Sequence, residues 1–120
     1  MPRSREAYLA DIVDACDSID LALFGADVEI YLSNRVIRSA VEREFIIIGE
    51  AIASLGRADA EFAARITHAR LIVGFRNRLA HDYAAIDDEA VLSIAQHDVP
   101  VLRDEVCLLL AEISALGPAD

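Results

Sequence analysis

Tryptophan and lysine are missing from this chain of 120 residues, and cysteine occurs only twice. Aromatic residues make up 6% of it, so a core must be built mainly from aliphatic side chains and alanine, within a hydrophobic content of 55%. Five glycines and three prolines supply little turn chemistry, which favours a few long helices. No run of 18 uncharged apolar residues exists, which excludes a membrane-spanning helix. Neither a Cys-x-x-Cys nor a His-x-x-x-His spacing occurs, so a zinc site lacks its usual ligands. Cys16 and Cys107 are far apart, each inside an apolar helical stripe, and read as buried thiols of a reducing compartment. The start, Met1 to Glu6, has no apolar stretch of the signal-peptide kind. The expectation is one cytoplasmic domain over residues 1–120, large enough to bury roughly two-thirds of its unfolded surface.

The formal net charge of −10 argues against holding nucleic acid by overall attraction. Its distribution says more. All 11 basic residues are arginines, and five of them (Arg57, Arg65, Arg70, Arg76, Arg78) stand between residues 57 and 81 against Asp59 and Glu61. Arginine is the side chain best shaped to grip a phosphate through two hydrogen bonds at once.

Hydrophobic spacing lays out an antiparallel, all-α helical bundle. A first helix runs over residues 4–24, capped by Ser4 and stopped by Gly25, with Leu9, Ile12, Cys16, Ile19 and Leu23 on one stripe. A second, unbroken helix runs from an Asp27 cap to Leu55, with Gly56 as its stop. Within it Ile46, Ile47 and Ile48 spread the apolar character around the helix, implying contact on more than one side. Gly49 there costs on the order of 1 kcal/mol relative to alanine, which suggests a close helix crossing, in the bundle or in a dimer. Glu44 and Glu50 beside it read as solvated carboxylates, with pairing to arginines as the other option. A short helix from Asp59 to about Thr67 follows, then one over 68–82. Asp87 or Asp88 caps the next, and Pro100, behind an Asp98 cap, opens a last helix ending at Gly117-Pro118.

The chemistry is concentrated in Arg76-Asn77-Arg78-Leu79-Ala80-His81-Asp82-Tyr83. On a helix turning about 100° per residue, Leu71, Ile72, Phe75 and Leu79 share one side and His81 lies nearly opposite. Asn77 and Arg78 flank His81, Gly74 lies beneath it, and Arg76 is about 140° away. One chain therefore has difficulty bringing Arg76 to His81. The bland reading of a histidine at a helix end is a surface group favoured by the dipole.

Arg, four residues, His, one residue, Tyr is the signature of the HEPN superfamily, and the surrounding sequence resembles its HepT-like toxin branch. Arg43 to Ala51 resembles that branch's second helix, Phe75 to Asp87 its active-site segment, and Asp98 to Leu102 the start of its last helix. Together these cover roughly residues 5 to 112. Where the family often has an Ile-Pro-Trp type stretch, this chain has Ala64-Arg65-Ile66-Thr67-His68-Ala69. The resemblance implies a metal-independent ribonuclease with a composite site at a homodimer cleft. It also implies a nucleotidyltransferase antitoxin that transfers AMP to the motif tyrosine, by position Tyr83.

Arg and His suit the cleavage of RNA without a metal or other cofactor, because the neighbouring 2′-hydroxyl supplies the nucleophile. His81 would carry the proton and Arg76 would neutralise charge on the phosphoryl oxygens. Asn77 and Arg78 would position the substrate. Acid and base roles need two proton carriers, and two motifs facing each other would provide both. The alternative from another class is a non-catalytic helical module that binds a nucleotidyltransferase or a nucleotide. His68 and His97 have no partner at a meaningful spacing, and Asp82 fits several roles equally.

Overall fold

Polar caps set the rhythm of the chain. In the computed structural model, which describes residues 3–81 and 86–116, six helices follow one another: α1 (Arg5–Leu23), α2 (Val28–Ser33), α3 (Arg35–Ala58), α4 (Ala60–Ala63), α5 (Ala69–His81) and α6 (Asp88–Ala115). The side chains of Ser4, Asp27, Asn34, Asp59 and Asp87 each accept a hydrogen bond from a backbone N–H in the first turn that follows. Each satisfies a donor that a helix start leaves without a partner. Gly25, at a φ of 76°, turns the chain after α1 in a conformation most side chains avoid. The described residues form helices and turns only, as the apolar spacing predicts.

Several predicted boundaries differ from the structure, and the short helix expected from Asp59 to about Thr67 spans only Ala60–Ala63. The long helix expected over 27–55 is two helices, broken at Asn34, whose side chain caps α3 by accepting from Ile37 N at 3.1 Å. Arg38 reaches back across the break and donates to Leu32 O at 2.6 Å, satisfying a carbonyl that the break releases. The apolar spacing of Val28, Leu32 and Val36 runs straight through the break, so periodicity did not reveal it. α3 then continues past Gly56 to Ala58, and Asp59 both ends it and caps α4.

A further difference is at the other end. Instead of two helices meeting at Pro100, α6 is continuous over 28 residues with Pro100 inside it. Proline removes one N–H and costs about 3 kcal/mol in a helix interior. Pro100 is exposed, while Val99 and Leu102 on either side are buried, so the unpaired carbonyl faces solvent and the apolar stripe holds the helix down. The expected turn at Ala84-Ala85 and the stop at Gly117-Pro118 lie outside the described residues.

The core joins α1, α3 and α6 through Leu9, Ile12, Cys16 and Ile19, through Val41, Phe45, Ile48, Ile52 and Leu55, and through Val91, Val99, Val106 and Leu109. Each such buried aliphatic side chain contributes roughly 1.5–3 kcal/mol. Burial pushes the Cys16 thiol up to about 12, with Asp17 and Asp20 adding to it. Of α5, only Leu79 is fully buried. This helix packs on α3, Phe75 setting its ring edge-on to Phe45 at 5.2 Å, and barely meets α6. No described helix is long and apolar enough to cross a membrane.

Candidate active site on α5

Where α5 crosses α3, glycine decides the fit. A Cβ on Gly49 would stand 2.6 Å from Arg76 Cγ, closer still to Arg76 Cβ, and 3.5 Å from the Ile72 carbonyl oxygen. The absent side chain thus makes the groove in which the stem of Arg76 lies. The close crossing expected at Gly49 is present within one chain, and its partner is the motif arginine.

The Arg76 head has two polar partners. Its Nη1 donates to Asn77 Oδ1 at 2.5 Å, and Nη2 meets Glu50 Oε1 at 3.5 Å. Its Nε is enclosed and has no partner among the described residues. The Arg76 side chain is 26% exposed and that of Glu50 57%, so the pair sits at the rim of the crossing with its outer edge open. Asn77 therefore spends its carbonyl oxygen on the guanidinium. Glu50, for which solvation was the favoured expectation, turns out to be the ion-pair partner; the glycine before it was the sequence signal. Glu44 is not paired within 4 Å among the described residues; burial raises its carboxyl above the usual range, against a smaller opposing effect of Arg43.

His81 is the last residue of α5 and is exposed. Among the described residues it makes no hydrogen bond to Arg76, and on a helix the two positions stand about 140° apart. Beside them, a Cβ on Gly74 would meet nothing within 4 Å. Arg78 is exposed and sets its guanidinium 5.8 Å from the Phe75 ring centre, a favourable cation–aromatic distance. Tyr83 and Asp82 lie outside the described residues.

A cavity of about 490 Å³ lies elsewhere. It lies between α5 and α6 over Phe45, Ile48, Ile72, Phe75 and Leu102, and neither Arg76 nor His81 lines it. At its mouth His68 adopts a φ of 63°, the one such non-glycine residue described. The preceding Thr67 is clamped by Glu105, which accepts from its N–H at 2.7 Å and its hydroxyl at 2.6 Å. Arg65 adds a two-pronged pair to Glu112. These contacts build the turn that leads from α4 into α5. Among the described residues no group of three or more His, Cys, Asp or Glu is placed to hold a metal ion.

A family model described as ribonuclease HepT-like matches residues 12–109, from the middle of α1 to near the end of α6, with Arg76 and His81 inside the match. The chain belongs to the HepT-like ribonuclease family. Among curated relatives, the candidate RNase MJ1380 of Methanocaldococcus jannaschii is 32% identical over 104 residues, which covers 87% of this chain and 94% of that one. The candidate RNase MJ1216 of the same organism is 28% identical over 111 residues, covering 92% and 91%. The candidate RNase TTE0752 of Caldanaerobacter subterraneus is 25% identical over 99 residues, covering 82% and 88%. No solved structure matches at a significant level.

Proposed function

We propose that this HepT-like chain is a cytoplasmic endoribonuclease, a single domain over residues 1–120, that cleaves RNA at a composite site made by Arg76 and His81 of two copies. The observation that carries the reading is the placement of Arg76. A charged side chain is set into a helix crossing made for it, with its outer edge open beside Asn77 and an exposed histidine on the same helix. Such an arrangement fixes a cation for a phosphoryl oxygen while leaving the imidazole free to move protons.

Cleavage proceeds by attack of the 2′-oxygen on the adjacent phosphorus and departure of the 5′-oxygen. One His81 takes the 2′-hydroxyl proton, and His81 of the partner subunit gives a proton to the leaving oxygen. The products are a 2′,3′-cyclic phosphate and a 5′-hydroxyl, and no metal is required in this scheme. Arg76 neutralises charge on the non-bridging oxygens, with Asn77 and Arg78 positioning the strand.

The same reading makes the protein the toxin of a toxin–antitoxin pair, silenced when a minimal nucleotidyltransferase transfers AMP to Tyr83. The adduct adds bulk and negative charge where the RNA phosphate has to sit. Co-expression with a nucleotidyltransferase from the neighbouring gene, followed by intact-mass measurement, tests this arm. Wild type gains one or more AMP units, and Tyr83→Phe gains none and escapes growth rescue. An unmodified wild type would leave inhibition by binding alone. The formal charge of −10 favours the second reading, a non-catalytic module that binds a nucleotidyltransferase or nucleotide. An inert protein whose RNA is untouched in either the wild type or the alanine variants would select it.

A further inference from the structure

The contact between Glu50 and Arg76 assigns a role to a carboxylate outside the motif. We infer that Glu50 is a positioning residue and removable counter-charge for Arg76, which a substrate phosphate displaces when it binds; the inference rests on Arg76 being the phosphate-binding cation of the proposed site.

Three observations support it. Gly49 lets the Arg76 stem lie flat against α3, so the head emerges beside Glu50, the next residue on that helix. The two hydrogen bonds of the head are unequal: Asn77 Oδ1 is held at 2.5 Å, whereas Glu50 Oε1 stands at 3.5 Å, the outer limit of such a bond. The tight contact orients the guanidinium, and the loose one is the bond most easily exchanged. Nε is enclosed and has no partner among the described residues, so Nη1 and Nη2 carry the polar contacts of the head and Nη2 is the donor available for trade. Glu50 is the more exposed member of the pair, so its carboxylate can swing into water when an anion replaces it. Until then it repels the phosphate backbone and hides one cation in a chain whose charge is already strongly negative.

The consequences have opposite signs in binding and turnover. Glu50→Gln removes the competing charge, so RNA binds more tightly. It also loosens the orientation of Arg76, so the bound complex turns over more slowly. Binding is measured with a fluorescein-labelled single-stranded oligoribonucleotide in a His81→Ala background, which prevents cleavage, and kcat and KM are measured with His81 intact. The expected result is about a two- to fivefold gain in affinity, the strength of one part-exposed ion pair. The slope of log affinity against log salt should be steeper for Glu50→Gln, because no freed carboxylate takes cations back from solution when the phosphate binds. KM and kcat should fall together, while Glu50→Asp, which keeps the charge, retains wild-type affinity and salt slope. A contact that only braces α3 against α5 would lower the melting temperature of both variants and leave the salt slope unchanged.

If Glu50→Gln matches its parent in affinity, salt slope and kcat while Arg76→Ala abolishes cleavage, the counter-charge role is overturned and the site reading survives. If Arg76→Ala binds and cleaves RNA like wild type, the site reading fails and the role of Glu50 goes with it.

Discussion

Arg76 shows how much of this protein's character depends on one missing methyl group. Gly49→Ala places a carbon against the stem of Arg76, and over-filling of this kind costs about 1–3 kcal/mol. The account predicts a lower melting temperature for Gly49→Ala and a loss of RNA cleavage larger than the loss of folded protein, because the guanidinium is pushed off its seat. Equal losses would mean that the crossing matters only for stability. Arg76→Ala and His81→Ala should abolish cleavage with the helical circular dichroism unchanged, since His81 is exposed and Arg76 lies at the rim. Glu42 offers a test by pH. Burial, with Asp88 beside it, raises its carboxyl above the ordinary value, against the opposing effect of Arg38. The folded state therefore holds that proton more tightly than the unfolded chain, so ionised Glu42 is a penalty at neutral pH that disappears as pH falls below the unfolded value. Glu42→Gln should melt higher than wild type at pH 7, and the two should converge below about pH 4. A constant difference across that range would point to packing and not to charge.

At the scale of elements, Asn34 and Pro100 mark where spacing alone misleads. Pro100→Ala restores an N–H to the exposed side of α6 and should stabilise the fold by up to about 3 kcal/mol, read as a rise in the chemical-denaturation midpoint. A fall would show that α6 needs its proline to bend. Asn34→Ala removes a cap and should cost about 1 kcal/mol. The helical class, the stripes of α1 and α3, and the approach at Gly49 were legible because burial repeats with the helical period. The break at Asn34 was hidden because the apolar positions keep their phase through it. Pro100 suggested a helix start because the rule for proline weighs the missing N–H and not the buried neighbours that hold the helix together. Within the site, the placement of Arg76 and His81 on one helix was legible in the apolar spacing around them. The pairing of Arg76 with Glu50 was offered only as the lesser option, because carboxylates on a long helix usually face water. That Arg76 would seat on Gly49 needed the register of α5 on α3, which no single stretch of sequence carries.

For the molecule as a whole, assembly decides whether the proposed site is complete. The described bundle measures 51 × 28 × 24 Å, α5 packs mainly on α3, and among the described residues Arg76 and His81 of one copy share no hydrogen bond. A composite site demands a homodimer, so light scattering at micromolar concentration should return twice the 13.1 kDa of one chain; a monomer that still cleaves RNA would remove the second histidine from the mechanism. The most direct measurement uses a short RNA with a single cleavable linkage, incubated with purified protein in EDTA. The account predicts a 2′,3′-cyclic phosphate and a 5′-hydroxyl end, with cleavage lost when the scissile nucleotide is 2′-deoxy and when His81 is alanine. Cleavage that survives His81→Ala, or that EDTA abolishes in the unmodified protein, would contradict it.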